Sequence, residues 1–412
     1  MKKLSFLERI FSITNYDILH KQICVLGIKI KRRRKKVIPK ILYKDLPLEN
    51  NKIFVRCCFG SYCCNPKYIV EEILKQELPY KIVWMVDNRF EKFKEDFPTD
   101  KIKIVMAGTK EAEIERATSK IIIDNERAFF YPESNTIKKE GQIYIQTWHG
   151  SLGIKKVGAE ITRLSERQCF FHHLDSEQLD YLISNSTFET DLYKRYFYGY
   201  GQIIEIGHPK NDILFENDVQ NIKDKVYKFF NISSNKKIII YAPTWRDDYN
   251  MKAFSLDFVK IRKAIEDRFG GEYVILNKLH PKYIMNNSKE MLKDEVIYAT
   301  YYSDMQELLV SADILITDYS SCMFDFMLTN KPVFVYATDV NKYEKQRGLY
   351  YPLDTTPFPI AKNNIEMIEN IKKFDIEKYI KNVDEFLKEK GCIENGHASE
   401  RVVDLIKHII QN

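Results

Sequence analysis

The sequence predicts an α/β fold with two parallel β-sheets in tandem. Short apolar runs with strand character alternate with amphipathic helical stretches, as in Lys52–Phe59 followed by Pro66–Leu78. This alternation is typical of βαβ units, whose strands lie parallel. A segment rich in Gly, Pro, Asn and Asp interrupts the pattern at Gly207–Gln220, and a second series of runs follows it. The chain is therefore predicted to contain two Rossmann-like halves, closed by helices towards its C-terminus.

Each half supplies its own set of strand-like runs. Those of the first half are 52–59, 80–88, 101–108, 119–126 and 141–146. The stretch 179–197 then adds a strand, a polar turn and a helix. The strands of the second half are predicted within 236–248, 273–281, 295–300, 313–316 and 331–337. Its helices are predicted at 256–269, 304–312 and through the tail at 364–410.

Length and composition suit a globular protein of two domains. The chain has 412 residues, 44% hydrophobic and 30% charged, so it can bury two cores and does not belong to the disordered class. Its net charge of +6 is below that of a dedicated nucleic-acid binder, but it suits an anionic substrate or an anionic membrane surface. The predicted boundaries are 1–45 for an N-terminal segment, 46–206 for the first half, and 207–412 for the second half with the C-terminal helices.

The N-terminal segment combines an amphipathic pattern with dense positive charge. Four apolar residues recur at helical spacing: Leu4, Leu7, Ile10 and Phe11. A cationic run follows at Lys29 and Lys31–Lys36, where each charge contributes about 1 kcal/mol of attraction to an anionic bilayer surface. The segment therefore predicts peripheral membrane attachment, with a solvated basic tether as the alternative. We find no signal-peptide pattern and no run of about 18 apolar residues that would span a bilayer.

Eight cysteines occur, and four of them form the doublets Cys57–Cys58 and Cys63–Cys64. Without a signal peptide, they do not indicate a disulfide framework. The doublets raise the alternative of a zinc site, but their flanking residues are typical of a buried strand and the loop that follows it. We therefore expect reduced, mostly buried thiols and no bound metal.

Polar clusters follow four of the predicted strands. They are TWHG at 147–150, PTWRDD at 243–248, LHP at 279–281 and TDYSS at 317–321. In parallel α/β sheets, ligands bind beyond the carboxyl ends of the strands. We therefore expect these clusters to line a single cleft between the two halves.

Two of the clusters carry groups that suit a phosphate. Ser320 and Ser321 open a predicted helix, where backbone N–H groups and the helix dipole attract an anion, and ordinary N-capping is the alternative. Arg246 offers a guanidinium that can bind phosphate oxygens in bidentate fashion. The alternative role for Arg246 is an ion pair with the adjacent Asp247 or Asp248 in a surface turn. Together these residues predict a phosphoryl-binding site.

The other clusters supply imidazole and ammonium groups. His149 directly follows its strand and can take a proton from a hydroxyl nucleophile. His280 can donate to a phosphate oxygen or stabilise a leaving group, and a structural histidine is the alternative. Lys155 and Lys156 can hold an anion, while Trp148 is either a wall of the pocket or part of the core. Since P-loop, GxGxxG and zinc motifs do not occur, the sequence predicts electrostatic stabilisation of a phosphoryl group without metal or cofactor.

Six motifs occur in a fixed order: YIQTWHG with KK after it, GHPKND, YAPTWRDD, LHP, TDYSS with FDF and KP after it, and RGLYYPLD. Together they resemble the CDP-glycerol glycerophosphotransferase family, and the likeness spans residues 52–410. The resemblance implies a GT-B fold, in which two Rossmann-like domains face each other across a cleft. It also implies transfer of glycerol or ribitol phosphate from a CDP-alditol to a lipid-linked or polysaccharide acceptor, with release of CMP, in teichoic acid or capsule synthesis.

The resemblance further implies roles for individual residues. His149 matches the family's first essential histidine, the candidate base, and His280 matches the second, which contacts the donor diphosphate. Positions at the donor phosphates or in the loops bordering them are matched by Arg246, Asp318, Ser320, Ser321, Arg347 and Gly348. The chain departs from the family at Ser151–Gly153, where Pro is common, and at Lys210, where Arg is common. These departures affect the donor or acceptor preference and leave the reaction class unchanged.

The sequence leaves two other functions open. One is a nucleotide-sugar glycosyltransferase on the same fold, and the other is a non-catalytic membrane-associated assembly factor that keeps only a degenerate nucleotide pocket. A nucleic-acid binder is disfavoured, because the basic residues form one terminal run without interleaved aromatics. The N-terminal segment resembles leader segments of Gram-negative capsule and lipopolysaccharide glycosyltransferases, which favours a capsule product. Its basic run favours a cytoplasmic enzyme on the inner face of the membrane. The choice of glycerol or ribitol, the acceptor and the oligomeric state stay open.

Overall fold

The structure is a computed structural model of the 412-residue chain. The residues it describes are 11–17, 20–25, 28–33, 40–87, 97–98, 100–126, 136–157, 160, 166–246, 254–280 and 296–411. In the first three of these ranges, Ile28 is the one residue whose side chain is described. No helix within these ranges combines the length and the apolar character that a bilayer crossing requires.

The N-terminal segment contains a small antiparallel sheet. Its strands are β1 (Phe11–Asp17), β2 (His20–Val25) and β3 (Ile28–Arg33), paired in chain order. Phe11 is the first residue of β1, so the prediction that it belongs to an amphipathic helix is wrong. The other three residues of that pattern, Leu4, Leu7 and Ile10, lie outside the described residues.

The physical reason is antiparallel strand pairing. Phe11 pairs with Val25 of β2, and Val25 in turn pairs with Ile28 of β3. On β3 the apolar residues Ile28 and Ile30 alternate with Lys29 and Lys31, the period of a strand. The basic residues Lys29 and Lys31–Arg33 consequently lie on β3, while 34–36 lie outside the described residues.

A parallel sheet of seven strands forms the centre of the first half. Its strands are β4 (Glu49–Arg56), β5 (Lys81–Val86), β6 (Ile102–Met106), β7 (Ser119–Asp124), β8 (Ile143–Gln146), β9 (Tyr181–Ser184) and β10 (Gln202–Glu205). They lie in the order β10-β9-β8-β7-β4-β5-β6. The strand order reverses between β4 and β7, which creates a crevice beyond their carboxyl ends.

The second half has a parallel sheet of six strands. They are β11 (Lys236–Ala242), β12 (Glu272–Asn277), β13 (Val296–Tyr298), β14 (Ile314–Thr317), β15 (Val333–Tyr336) and β16 (Ile360–Ala361). Their order is β13-β12-β11-β14-β15-β16, with the corresponding reversal between β11 and β14. Two parallel sheets in tandem confirm the predicted α/β fold class.

Twelve α-helices occur in the described ranges. They are α1 (Cys64–Lys75), α2 (Lys110–Thr118), α3 (Glu166–Ser176), α4 (Thr187–Tyr196), α5 (Gln220–Phe230), α6 (Phe258–Phe269), α7 (Met305–Ser311), α8 (Cys322–Phe326), α9 (Val340–Arg347), α10 (Asn364–Lys372), α11 (Ile376–Lys390) and α12 (Ala398–Gln411). Side-chain oxygens of Thr109, Ser186, Asp304 and Asp375 accept first-turn N–H groups. Local sequence thus sets where these helices begin.

The last helix crosses back to the first half. Val402 and Ile406 of α12 are buried against Ile69 and Ile73 of α1. The Asp212 carboxylate fixes the start of α12 by accepting the backbone N–H groups of the first two helical residues at 2.9 and 2.6 Å. We expected the C-terminal helices to pack with the second half, and α12 departs from that expectation because its apolar face matches α1.

A buried ion cluster also joins the halves. Lys67 of α1 donates to the carboxylates of Asp304 and Glu307, both at 2.6 Å, at the start of α7. The Tyr68 hydroxyl donates to Asp304 at 3.0 Å, and Lys225 of α5 pairs with Glu307. These contacts fix α1 of the first half against α7 of the second.

Candidate functional site

The candidate site lies where the loop after β8 meets the loop after β14. Gly150 of the TWHG loop lies against Ser321, since a Cβ placed on Gly150 would be 3.8 Å from Ser321 Oγ. Thr147 anchors this loop to its sheet, because its backbone N–H donates to the Asp124 carbonyl at 2.8 Å. One predicted cluster from each half is thereby brought to the same place.

His149 has the geometry of a general base. Its Nδ1 lies 2.6 Å from the carbonyl oxygen of Asn125. Because a carbonyl accepts and does not donate, Nδ1 carries the hydrogen and Nε2 keeps its lone pair. Desolvation by the surrounding protein, helped by the charges of Lys210 and Lys155, lowers the pKa of His149 to about 4, although the residue is exposed to solvent on its open side. The imidazole is therefore neutral at pH 7 and can accept a proton.

Trp148 is both a wall of this site and part of a hydrophobic cluster. Its ring stacks on His149 with a centroid distance of 4.3 Å and an interplanar angle of 28°. Tyr196 and Phe197 contact its ring edge-on from the core of the first half. The Trp148 backbone has φ of 51°, a costly conformation for a bulky residue, and Asn65 donates to its carbonyl at 3.0 Å. These contacts fix the orientation of the His149 ring.

Lys155 and Arg347 bring two positive charges to the site from different halves. Desolvation and the charge of Arg347 lower the pKa of Lys155 to about 8. Within the described part of the chain, neither side chain has an ion-pair partner, and the buried Nε of Arg347 has no hydrogen-bond partner. The Asp318 carboxylate lies near Lys155 but already accepts from Arg246, so two neighbouring cations without an ion pair of their own indicate an anion-binding position.

A short antiparallel contact holds these two cations side by side. Lys155 forms a β-bridge with Leu349, and the Lys156 N–H donates to the Gly348 carbonyl at 3.1 Å. Gly348 has φ of 78°, and a Cβ there would lie 2.8 Å from the Lys156 Cδ atom. Glycine is therefore required at this close approach. The aliphatic part of the Lys156 side chain packs on Gly348. Because Arg347 precedes Gly348 and Lys155 precedes Lys156, this contact places the two cations close together.

Ser320 and Ser321 lie between β14 and α8. Ser321 occupies the N-cap position, yet its side chain caps no backbone N–H of α8. Ordinary N-capping is thus not the role of this hydroxyl. Both serines are partly exposed, whereas the preceding Asp318 and Tyr319 are buried. The Ser321 hydroxyl therefore borders the space next to Gly150.

Arg246 faces the interior of the second half. Its Nε and Nη2 form a bidentate pair with Asp339 at 2.8 and 3.0 Å, and Nη2 also donates to Asp318 at 2.8 Å. Nη1 donates to the Thr244 carbonyl at 2.7 Å. Asp318 in turn accepts the backbone N–H groups of Thr244 and Tyr319. The structure thus places Arg246 and Asp318 in the framework of the loops after β11 and β14, and Asp247 and Asp248 lie outside the described residues.

His280 lies beyond the carboxyl end of β12, at the same edge of the second sheet. Its ring centroid is 6.0 Å from that of Trp245, in the loop after β11. Leu279 before it is buried in a small cluster with Phe254. His280 therefore lies beside the loop that Arg246 anchors.

From the sequence, GHPKND at 207–212 was interpreted as a domain connection, and the buried polar network that it forms was not predicted. The His208 ring is fully buried, and its Nε2 lies 2.8 Å from Glu189 Oε2. Lys210 pairs with Asp325 at 2.5 Å. The sequence did indicate a polar cluster here, because GHPKND follows strand β10 just as the four predicted clusters follow their strands. The network lies close enough to His149 for Lys210 to lower the pKa of its imidazole.

Comparisons with known proteins agree with this arrangement. A family model described as CDP-Glycerol:Poly(glycerophosphate) glycerophosphotransferase matches residues 43–408. The teichoic acid poly(glycerol phosphate) polymerase of Staphylococcus epidermidis is 32% identical over 93% of this chain, which spans 54% of that protein's length. The teichoic acid glycerol-phosphate transferase of Staphylococcus aureus is 30% identical, covering 92% of this chain and 99% of that protein.

A solved structure of the wall teichoic acid polymerase TagF has the same fold, GT-B-like with two parallel sheets. Its TM-score is 0.75 at 30% identity, over 88% of this chain and 90% of that one. The expected GT-B fold is thereby confirmed. From the matched length and these identities, the chain belongs to the CDP-glycerol:poly(glycerophosphate) glycerophosphotransferase family.

Proposed function

We propose that this protein transfers glycerol phosphate from CDP-glycerol to a hydroxyl of a polyol-phosphate or lipid-linked glycan acceptor, releasing CMP. The observation that carries the proposal is the pair of cations Lys155 and Arg347, which form no ion pair among the described residues and lie near the Ser320–Ser321 loop. A diphosphate is the donor group that two such charges fit. The family and the two staphylococcal relatives, both named for glycerol phosphate, support this donor.

The proposed reaction is an in-line displacement at phosphorus. The acceptor oxygen bonds to the phosphorus that carries glycerol, the phosphorus–oxygen bond to CMP breaks, and its electron pair leaves with CMP. His149 takes the hydroxyl proton at Nε2, while Lys155, Arg347 and Ser321 stabilise the charge that grows on the diphosphate. His280 is proposed to contact the donor from the second sheet. Arg246 and Asp318 position the loops and do not themselves bind the donor.

The pathway and location are also proposals. The names of the relatives support the synthesis of teichoic acid or a related envelope polymer. The basic residues Lys29 and Lys31–Arg33 of β3 support peripheral attachment to an anionic membrane face. No cofactor is required for the proposed chemistry.

The experiment is a donor screen combined with two substitutions. Purified protein receives CDP-glycerol, CDP-ribitol or a UDP-sugar with a poly(glycerol phosphate) acceptor, and the released nucleotide is measured by mass spectrometry. We expect CMP from CDP-glycerol, and His149→Ala should lower kcat by about 100- to 10,000-fold. Arg347→Ala should raise the donor KM by about 10- to 100-fold.

Lys345→Ala is the matched control, because Lys345 is an exposed cation on the same helix as Arg347. It should leave the donor KM unchanged. Wild-type turnover by His149→Ala would remove the assignment of the base. Release of UDP from a UDP-sugar, without release of CMP from either CDP-alditol, would replace the proposal with a glycosyltransferase.

A further inference from the structure

A cluster of cysteine thiols lies beside the candidate site. Cys57 and Cys58 follow β4, whereas Cys63 and Cys64 lie at the start of α1. The Cys57 sulfur is 3.8 Å from that of Cys63 and 4.0 Å from that of Cys58. The sulfur atoms of these three residues all lie within 4.8 Å of one another, and Cys57 and Cys63 are buried. Folding therefore turns two separate doublets into one compact group.

These spacings suit a thiolate shell around a single metal ion. A zinc–sulfur bond of about 2.3 Å places tetrahedral sulfur ligands about 3.8 Å apart. A disulfide would need a sulfur–sulfur distance of about 2.05 Å, well below the 3.8 and 4.0 Å that separate these sulfurs. Three sulfurs around a common centre fit an ion that prefers soft ligands, such as Zn²⁺ or Cu⁺.

Hydrogen-bond donors and a positive charge also lie around the sulfurs. The Asn125 side-chain amide lies 3.4 Å from the Cys57 sulfur and 3.6 Å from the Cys58 sulfur, as a donor to both. Its Oδ1 accepts the Cys58 backbone N–H at 2.8 Å, which fixes the amide's orientation. Lys278 adds positive charge near Cys63. Such hydrogen bonds and charges are typical of the groups that surround metal–thiolate centres.

We propose that Cys57, Cys58 and Cys63 bind one thiolate-preferring metal ion, for which Zn²⁺ is the probe. Cys64 interacts with Cys58 but lies outside the group of sulfurs that are all within 4.8 Å of one another, so the protein supplies three ligands. Each ligand gives up its thiol proton on binding, so affinity rises with pH. The proposal departs from the expectation of no bound metal, because the fold brings Cys57, Cys58 and Cys63 together; the expected reduced state of the thiols stands.

Asn125 connects this metal site to the candidate base. Its side chain donates to the sulfurs, and its backbone carbonyl accepts from His149 Nδ1 at 2.6 Å. An ion held by the cysteines would therefore fix the residue that orients His149. Its role is structural, because the cysteines follow β4 while the proposed phosphoryl chemistry uses the loops after β8 and β14.

The test measures metal binding directly. Protein that has been reduced and stripped with a chelator is titrated with Zn²⁺ or Co²⁺, and bound metal is counted by mass spectrometry after desalting. We expect one ion per chain, a thiolate-to-cobalt charge-transfer band, and a higher thermal midpoint for the zinc-loaded protein. Asn125→Ala should weaken zinc binding by about 10- to 100-fold.

Cys58→Ser and Cys63→Ser should lose the bound ion and the cobalt band, while Cys169→Ser on α3 should keep both. If a ligand variant fails to fold, competition between wild-type protein and a chelator of known affinity decides the outcome. No uptake by the stripped wild-type protein, or equal uptake by Cys63→Ser, would overturn the proposal. A Cys57–Cys63 disulfide without metal uptake would do the same. CMP release is measured separately, so failure here leaves the proposed transferase activity untouched.

Discussion

Arg246 and Arg347 show how one residue type takes two roles within the same half. The guanidinium of Arg246 is occupied by Asp339, Asp318 and the Thr244 carbonyl. Arg347 instead keeps a buried Nε without a partner among the described residues. An unsatisfied buried donor costs about 1–3 kcal/mol, which a bound phosphate oxygen would offset. At the residue scale, this missing partner is why we propose Arg347, and not Arg246, as the arginine that binds the donor.

The pH dependence of donor binding should follow Lys155. Its pKa of about 8 is lower than that of an ordinary lysine, so its ammonium is charged at pH 7 and loses its proton as the pH rises through 8. We expect the donor KM to rise by about 10- to 100-fold above that pH. On the acid side, the pKa of His149 at about 4 keeps the base neutral, so kcat/KM should stay level down to about pH 5.

Steady-state rates with CDP-glycerol between pH 5 and pH 10 check this prediction. Lys155→Arg is the informative variant, because a guanidinium keeps its charge throughout that range. It should abolish the rise in KM at alkaline pH. An unchanged alkaline limb in Lys155→Arg would assign that limb to another group.

At the scale of elements, α1 connects three parts of the molecule. It carries Lys67 to the carboxylates of α7, packs Ile69 and Ile73 against α12, and begins next to Cys63. Local sequence explains why α1 is a helix, because its apolar positions recur at helical spacing. Its partners lie more than 200 residues away in sequence.

Lys67→Met should strongly destabilise the contact between the halves. Removing the buried ammonium leaves the carboxylates of Asp304 and Glu307 without their main counter-charge, at a cost of about 3–5 kcal/mol. The urea midpoint measured by tryptophan fluorescence should fall accordingly. Lys75→Met is the control on the same helix, where an exposed lysine pairs with Glu72, and its effect should stay within about 0.5 kcal/mol. Equal midpoints for the two variants would refute this account of α1.

At the scale of the whole molecule, the two halves supply different parts of the candidate site. The first half provides His149 and Lys155, and the second provides Arg347 and Ser321. The antiparallel contact of Lys155 with Leu349 makes the site depend on both halves. The N-terminal sheet adds a strand of basic residues outside this catalytic unit.

That basic strand should bind anionic membranes. Changing Lys31, Arg32 and Arg33 to Gln removes three charges, each worth about 1 kcal/mol near an anionic surface, so vesicle binding should weaken by about 100-fold. Co-sedimentation with phosphatidylglycerol vesicles, against phosphatidylcholine vesicles, measures the effect. The control triple, Lys372, Lys373 and Lys378 to Gln, lies on exposed surface of the second half. Equal losses from the two triples would indicate that net charge alone directs binding.

The sequence by itself determined the periodic features and the positions of strand ends. The alternation of runs predicted two parallel sheets, and polar clusters at strand ends predicted His149 and Ser321 as neighbours of a ligand. These features depend on residues close together in the chain, whose spacing fixes which side of an element is buried. The N-terminal sheet shows the limit, because Phe11 fits a helical spacing in the sequence and yet pairs with Val25 between β1 and β2.

Only the tertiary structure decided which polar groups become partners. It enclosed Arg246 between Asp318 and Asp339, buried His208 against Glu189, and gathered the cysteine doublets at the end of β4. It also returned α12 to the first half. Such pairings join residues far apart in sequence, and their energies depend on burial and distance, which exist only once both sheets are folded and packed.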